Sequence, residues 1–186
     1  MKNALILHGT EGNSKENWFP WLKKELEKKG YKVWLPDLPG ADVPNLKKYL
    51  EFIFANKDFE FNLETVIIGH SSGAVACLAV LNELPENVKM NTCIMVSPFE
   101  KNSPGGKWEP NRELFEYKPD LSKVKNKVRS FVLFISDNDK YCPTDYVKNL
   151  GKELGGKVII THGDGHFSIS IGGPKYKKLP MLLEYL

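Results

Sequence analysis

The pentapeptide Gly69-His70-Ser71-Ser72-Gly73 carries the clearest chemical signal in this chain, because it matches the pattern G-x-S-x-G. In chains that use a serine nucleophile, this pattern forms a tight turn between a strand and a helix and exposes the central hydroxyl. The apolar runs 65–68 before it and 74–84 after it supply that context. The pattern predicts Ser71 as the nucleophile, with Ser72 as a competing hydroxyl and an ordinary glycine-rich turn as the alternative interpretation.

Two aspartates are candidates for the acid that such a serine requires. The serine is activated by a histidine base, the base is oriented by a carboxylate, and the order along such chains is Ser, acid, His. Asp137 and Asp139 both follow the apolar run 130–135. We predict Asp139 as the acid, because it lies further into the loop, shortly before Pro143 begins a helix. Asp137 is the alternative, and the other aspartate would cap the turn.

Two histidines are candidates for the base, and both follow the next apolar run, 157–160. His166 lies between Gly165 and Phe167, on a loop that could swing over a sheet, whereas His162 could simply satisfy the end of the strand. We predict His166 as the base and keep His162 as the alternative. Residue types and chain order together favour a Ser–Asp–His triad.

The loop after the first apolar run, His8-Gly9-Thr10-Glu11-Gly12, is the candidate for an oxyanion hole. Its strand should lie beside the strand that leads to Ser71, so its backbone N–H groups can point at a developing negative charge. We predict the N–H groups of Thr10 and Ser72 as the two donors, since one such donor contributes about 3 kcal/mol in other enzymes. His8 is expected to shape the turn.

Four side chains are predicted to contact a substrate: Trp18, His70, Trp108 and Phe167. Other aromatic side chains near the candidate loops are Phe99, Phe115, Tyr117 and Tyr141. Some of these rings could line a pocket for an apolar group. For any single ring, sealing the hydrophobic core is the alternative interpretation.

The elements that must position these residues alternate between strand and helix. Continuously apolar runs predict buried strands at 4–7, 31–35, 65–68, 92–96, 130–135 and 157–160. Helices are predicted at 17–29, 44–55, 74–84, 143–154 and, in the tail, 176–186. This alternation is typical of a parallel sheet with right-handed crossovers, which binds ligands beyond the carboxyl ends of its strands. We predict a single domain over residues 1–186 with a three-layer α/β/α fold and a mostly parallel sheet of about six strands. The connection 97–127 is too short for a large lid.

Composition excludes several classes of protein. The 186 residues carry a formal charge of +3, too small to indicate nucleic acid or an anionic membrane as a partner. No apolar stretch approaches the roughly 20 residues that span a bilayer. Three cysteines without CxxC spacing argue against a disulfide scaffold and favour a reducing, cytoplasmic location. The four histidines lack a clustered ligand set, so we predict no metal and no cofactor and leave the oligomeric state open.

These motifs are similar to those of the small α/β-hydrolase family that includes retinoblastoma-binding protein nine and its bacterial relatives. The resemblance runs nearly end to end and is carried above all by WFPWLKKEL at 18–26 and GHSSGA at 69–74. It implies a serine hydrolase without a large lid, with the nucleophile on Ser71, the acid on Asp139 and the base on His166. One departure is Ser136, where many α/β-hydrolases carry glycine. No L-x-C-x-E sequence surrounds a cysteine, so the retinoblastoma partner is not implied.

We therefore expect a serine hydrolase that cleaves small esters, thioesters or amides, with carboxylesterase, amidase or aminopeptidase activity within its range. The short connection after the fourth strand predicts an open site and a small-molecule acyl substrate, or else the exposed end of a larger molecule. One alternative is acyl transfer or perhydrolysis by the same triad. The other is a protein-binding module that kept the fold, which a broken triad would favour.

Overall fold

A six-stranded, fully parallel sheet organises the chain. The computed structural model describes residues 1–99 and 109–186. The strands are β1 (Asn3–Leu7), β2 (Lys32–Trp34), β3 (Val66–His70), β4 (Met90–Val96), β5 (Val128–Ser136) and β6 (Lys157–Thr161). Their order across the sheet is β2-β1-β3-β4-β5-β6, and each neighbouring pair is parallel. The predicted α/β class and the predicted strands are confirmed, with ends that differ by no more than two residues.

Helices cover both faces of this sheet. They are α1 (Phe19–Lys28), α2 (Leu46–Ala55), α3 (Ser72–Glu83), α4 (Arg112–Glu116), α5 (Leu121–Lys125), α6 (Thr144–Leu154) and α7 (Ile169–Gly172). The predicted helix over the tail is wrong. Two 3-10 segments, Pro174–Lys177 and Pro180–Tyr185, take its place. A proline inside a helix lacks the N–H that its hydrogen bond needs, so Pro180 interrupts the tail.

Two hydrophobic layers form on opposite faces of the sheet. Side chains such as Leu5 and Ile67 point into one layer, which we call the α3 layer because α3 fills its centre. Their neighbours Ala4 and Ile68 point into the other layer, which also contains side chains of α1 and of the tail. We call it the α1 layer. Successive side chains of a strand point to opposite faces. Burial on both faces therefore explains why the central strands β1 and β3 are apolar over most of their length.

Helix α3, which follows Ser71, is the most enclosed helix of the α3 layer, since its residues from Ser72 to Leu81 are all buried. Small and aliphatic side chains over this stretch allow close approach to the sheet on one side and to α2 and α5 on another. Its N-terminus follows β3 directly, at the carboxyl edge of the sheet. Between β4 and β5, the described residues form only a 3-10 turn, α4 and α5, and they contain no large lid.

No helix within the described ranges is long and apolar enough to cross a membrane. The three cysteines, Cys77, Cys93 and Cys142, are buried free thiols. The cytoplasmic location, the single-domain organisation and the absence of a nucleic-acid partner stay predictions.

Candidate active site

Ser71 occupies the turn between β3 and α3 in a conformation that residues other than glycine rarely adopt. Its φ is 55° and its ψ is −121°. The backbone N–H of Ser71 donates to the carbonyl oxygen of Val96 at 2.9 Å, which fastens the turn to the neighbouring strand. Backbone strain of this kind costs about 1–3 kcal/mol and persists only where the surroundings impose it. The turn presents Ser71 in the wall of a cavity.

Two glycines allow this turn to pack. A Cβ atom on Gly69 would lie 2.3 Å from the carbonyl oxygen of Gly73, and a Cβ atom on Gly73 would lie 2.3 Å from that of Leu7. Neither distance is compatible with a side chain. The G-x-S-x-G spacing therefore reflects the close contact of β1, β3 and α3 at this junction.

The two predicted oxyanion donors come from different loops: Ser72 follows Ser71 in the chain, and Thr10 lies in the loop after β1. Ser72 is fully buried, and its hydroxyl has no hydrogen-bond partner in the described part of the chain. As the first residue of α3, Ser72 has an N–H without an acceptor inside the helix. Thr10 lines the same cavity. Gly9 beside it packs on the turn, since its Cβ position lies 3.1 Å from the Cβ atom of Ser71.

Asp139 is a fully buried carboxylate that accepts several hydrogen bonds. The ring Nδ1 of His166 lies 2.9 Å from Oδ2, and the Ser97 hydroxyl donates to the same oxygen at 2.7 Å. The N–H groups of Tyr141 and Cys142 donate to Oδ1 at 2.9 and 3.2 Å. Burial by itself would raise the pKa of Asp139, but the hydrogen bonds from His166 and Ser97 outweigh it and hold the pKa below its usual range. The group is therefore an anion at neutral pH.

His166 lines the cavity, and its Nδ1 is engaged by Asp139. An ionised carboxylate only accepts hydrogen bonds, so the proton of the neutral ring sits on Nδ1, facing Asp139. The other nitrogen, Nε2, is left with a lone pair. His166 lines the cavity together with Ser71. Such a ring can take a proton from a serine hydroxyl and return it to a leaving group.

His70 lines the cavity as well, and its ring also holds the backbone of His166. Its Nε2 lies 2.8 Å from the carbonyl oxygen of His166 and must donate to it. Burial lowers the pKa of His70 to about 3, so the ring is neutral. The ring packs against Trp18 and Phe19, each with a centroid distance of 5.9 Å. Sequence reasoning predicted a substrate contact for His70 and missed this hydrogen bond.

Cys142 is a close neighbour of Asp139 and His166. Its thiol donates to the carbonyl oxygen of Ser97 at 3.0 Å and lies 3.9 Å from Nδ1 of His166. Burial raises the pKa of this thiol well above its usual value. The ligand atoms of Asp139, Cys142 and His166 lie within 4.8 Å of one another, so this group could hold a metal ion. An ion there would displace the hydrogen bond that orients His166. The absence of a metal and a cofactor stays a prediction.

The alternative acid and base pair with each other at the surface. Nδ1 of His162 lies 2.7 Å from Oδ2 of Asp137, and the ring is largely exposed. The N–H of Gly163 donates to the other oxygen of Asp137 at 3.0 Å. Hydrogen bonding by His162 lowers the pKa of Asp137. Neither side chain lines the cavity that contains Ser71.

The acid and base loops are hydrogen-bonded to each other. Ser136 accepts from the N–H of Asp164 at 2.9 Å and donates to the side-chain oxygen of Asn138 at 2.8 Å. Asn138 in turn accepts from the N–H of Gly165 at 2.7 Å. The Tyr176 hydroxyl donates to the carbonyl oxygen of Asp164 at 2.6 Å. Ser136 thus joins the loop of Asp139 to the loop of His166.

The cavity has a volume of about 460 Å³, within the range of small-molecule sites. Trp18 and Phe167, predicted as substrate contacts, do not line it: both are fully buried in the α1 layer. The indole N–H of Trp18 donates to the carbonyl oxygen of Phe167 at 3.1 Å. This hydrogen bond holds the backbone of the loop that carries His166. Trp108 lies outside the described residues.

Asn111 is a cavity residue that sequence reasoning missed. Its side-chain oxygen accepts from the Thr10 hydroxyl at 2.6 Å, across a separation of 101 residues. This bond ties the segment before α4 to the predicted oxyanion loop. No local pattern marks Asn111, because the contact exists only after the chain has folded.

Comparison with known sequences identifies a family. The model of a family described as serine hydrolase matches residues 4–185. YdeN of Bacillus subtilis is 25% identical over 185 residues, which cover 100% of this chain and 94% of YdeN. Serine hydrolase RBBP9 of Rattus norvegicus is 25% identical over 167 residues, which cover 88% of this chain and 86% of that protein.

Solved structures share the fold. The crystal structure of YdeN superposes with a TM-score of 0.88 at 23% identity, covering 99% of this chain and 96% of that one. Est1E of Butyrivibrio proteoclasticus, solved with ferulic acid bound, superposes with a TM-score of 0.70 at 19% identity. That match covers 100% of this chain and 89% of Est1E. At these identities the likeness shows a common architecture and leaves the substrate open.

Proposed function

This chain belongs to the serine hydrolase family, and we propose that it hydrolyses small esters, thioesters or amides through an acyl-enzyme on Ser71. The observation that carries the proposal is the buried Asp139 carboxylate, which lies 2.9 Å from Nδ1 of His166 while that histidine and Ser71 share one cavity wall. The strained backbone at Ser71 adds support, because strain of this kind concentrates at functional sites.

The first half of the reaction acylates Ser71. Nε2 of His166 takes the hydroxyl proton, and Oγ of Ser71 forms a bond to the substrate carbonyl carbon. Negative charge moves to the carbonyl oxygen, where the N–H groups of Thr10 and Ser72 donate to it. The intermediate then collapses: the bond to the alcohol, thiol or amine breaks, and His166 gives its proton to that leaving group.

The second half releases the acid. A water molecule gives a proton to Nε2 of His166 and attacks the acyl carbon. The same N–H groups stabilise the second intermediate, and the bond to Oγ of Ser71 breaks. The proton returns from His166 to Oγ, so the enzyme is regenerated. The balance is one acyl compound and one water converted into one acid and one leaving group.

Asp139 keeps the base in its working form. Its pKa is held below the usual range, so it is ionised whenever His166 takes a proton. The negative charge fixes the proton on Nδ1 and stabilises the imidazolium that forms during attack. His70 assists by holding the carbonyl oxygen of His166 at 2.8 Å. Both interactions limit the rotation of the ring away from Ser71.

The test is labelling by a fluorophosphonate probe, with the adduct located by peptide mass spectrometry. Wild-type protein should form the adduct on Ser71, and Ser71→Ala should not. His166→Ala should label far more slowly, while His162→Ala, a matched change at the surface, should label as the wild type does. A failure of folded wild-type protein to label would contradict the proposal and favour a binding module on this fold.

Product analysis separates hydrolysis from acyl transfer on the same triad. The acid and the transfer product are quantified with an activated ester in water and in the presence of a competing alcohol or hydrogen peroxide. Hydrolysis predicts that acid remains the main product. A transfer product that dominates at low acceptor concentration would assign the chain to acyl transfer or perhydrolysis.

A further inference from the structure

The two walls of the cavity differ in chemistry, and this difference points to a substrate class. We propose that the site selects esters that join an aromatic acyl group to a hydroxyl-bearing alcohol, such as glycerol or a sugar. This inference rests on the proposed function of Ser71. It follows from the side chains that the two layers of the fold contribute to the cavity.

One wall is aromatic and belongs to the α3 layer. Phe99 is buried in that layer, and Phe115 and Tyr141 pack against it. The rings of Phe99 and Phe115 lie 4.9 Å apart in a tilted arrangement, and all three residues line the cavity. The ring of Tyr141 extends this wall to His166, at a centroid distance of 5.0 Å. A flat aromatic group can pack here edge-to-face or offset, in the geometry that aromatic rings prefer.

The opposite wall, beside the α1 layer, is mainly polar, although the apolar Ile171 after Ser170 also lines the cavity. Its polar members are Asn17, Ser168 and Ser170, which alternate in the chain with residues buried in or against that layer. Asn17 accepts from the N–H of Ile169 at 2.8 Å, which holds the two segments together. The hydroxyls of Ser168 and Ser170 lie 3.1 Å apart. Hydroxyl and amide groups donate and accept, so they match the hydroxyls of an alcohol.

The positions of the oxyanion donors and the base decide which half of the substrate meets which wall. The donor Ser72 begins α3, the central helix of the α3 layer. His166 is followed by Phe167, which anchors its loop in the α1 layer. Because His166 must protonate the departing oxygen, the alcohol lies on the side of its loop, where Ser168 and Ser170 follow. The acyl group then extends over the aromatic wall.

The charges in the cavity further limit which leaving groups can bind there. The charged side chains among the described lining residues, apart from histidine, are Glu11 and Glu16. Two carboxylates disfavour an alcohol that carries a phosphate or a carboxylate. Glu16 already accepts from the amide of Asn13 at 2.7 Å. Asn17, Ser168 and Ser170 carry no charge, and their hydrogen-bonding groups match a neutral, hydroxyl-bearing alcohol.

The experiment compares five esters that differ in the acyl group or in the alcohol, using purified protein and following acid release by pH-stat titration. Glyceryl phenylacetate is compared with propyl phenylacetate, glyceryl acetate and propyl acetate, and choline phenylacetate supplies a cationic leaving group. We expect kcat/KM to be highest for glyceryl phenylacetate. The phenylacetyl group should give at least tenfold over acetyl, and glyceryl at least fivefold over propyl.

Variants of the lining residues test whether the aromatic wall causes the acyl preference and the polar wall causes the alcohol preference. Phe115→Ala should remove most of the preference for phenylacetyl, while Phe115→Leu should keep part of it. Phe52→Ala, which truncates a half-exposed ring on α2 outside the cavity, should leave the preference unchanged. Ser170→Ala should reduce the preference for glyceryl over propyl and leave the acyl preference intact.

Three results would overturn the inference. The first is equal kcat/KM for acetyl and phenylacetyl esters, and the second is equal kcat/KM for glyceryl and propyl esters. The third is a choline ester preferred over the glyceryl ester, with that preference lost in Glu16→Gln, which would assign the polar wall to a cation. Fluorophosphonate labelling of Ser71 in the same preparation distinguishes a failure of this inference from a failure of the proposed function. Labelling without ester preference refutes only this inference, whereas absence of labelling refutes the proposed function.

Discussion

Replacing Ser71 with glycine should stabilise the fold relative to replacing it with alanine, although both changes remove the proposed nucleophile. Alanine keeps the Cβ atom and therefore keeps the strain of a φ of 55° and a ψ of −121°. Relief of that strain contributes about 1–3 kcal/mol. Glycine gives back about 0.5–1 kcal/mol through the greater freedom of the unfolded chain. The net gain is about 1 kcal/mol, which for a chain of this size corresponds to about 2–4 °C in Tm.

The measurement is urea unfolding and thermal unfolding of both variants, with the urea m-value used to confirm that both unfold in the same way. A matched pair at the next position serves as the control. Ser72 is the first residue of α3 and has helical geometry, so Ser72→Gly should be less stable than Ser72→Ala, by up to about 1 kcal/mol. If Ser71→Gly were no more stable than Ser71→Ala, the turn would store no strain and the argument from backbone geometry would fail.

Three further predictions concern packing, positioning and pH. Gly73→Ala should lower the free energy of unfolding by about 3 kcal/mol or more, since its Cβ atom would lie 2.3 Å from the carbonyl oxygen of Leu7. A loss of unfolding free energy of less than about 1 kcal/mol, measured in urea, would show that the contact between β1 and α3 can relax. His70→Gln, which retains an N–H donor, should keep more kcat than His70→Phe, with KM nearly equal in both, and equal kcat would refute positioning of His166. The lowered folded-state pKa of Asp139 stabilises the protein above the usual carboxyl pKa of about 4, and this stability is lost as the pH falls through the folded value. The free energy of unfolding, measured in urea, should therefore fall more steeply below pH 4 in wild type than in Asp139→Asn. Parallel curves of this free energy against pH would contradict the prediction.

The activity of the site depends on the same carboxylate, and its neighbour offers a matched comparison. Asp139→Asn should lower kcat/KM by about a thousandfold or more, because an amide no longer fixes the proton on Nδ1 of His166. Asp137→Asn removes the partner of exposed His162 and should change kcat/KM by less than about twofold. An equal loss in both variants, measured on an activated ester, would reject the assignment of the acid.

Local signals in the sequence were sufficient to predict the sheet and the turn at Ser71. The apolar runs predict strands because a strand buried on both faces must be apolar throughout, and the structure has all six. The glycines of G-x-S-x-G are likewise a local necessity, since Gly69 and Gly73 lie within one turn of each other and tolerate no Cβ atom. The order of serine, acid and histidine then places the candidate loops at one edge.

Distinctions between neighbouring residues needed the folded chain. Asp137 and Asp139 are two residues apart and look alike in sequence, yet only Asp139 is buried against His166, while Asp137 pairs with His162 at the surface. Sequence also does not reveal whether an aromatic ring faces a cavity or the core. Phe167 was a reasonable candidate for the pocket, yet its ring is fully buried. The backbone of Phe167 has a φ of 51°, and its ring packs in the α1 layer.

The sequence by itself determined the α/β fold, the strained turn at Ser71 and a short set of candidates for its acid and base, because periodicity, turn chemistry and chain order are local properties. Tertiary structure alone decided which candidates meet, how His70 holds the backbone of His166 from 96 residues away, and how Thr10 meets Asn111 across 101 residues. Those contacts depend on the packing of loops from several strands at one edge of the sheet. They arise only when the whole core has formed.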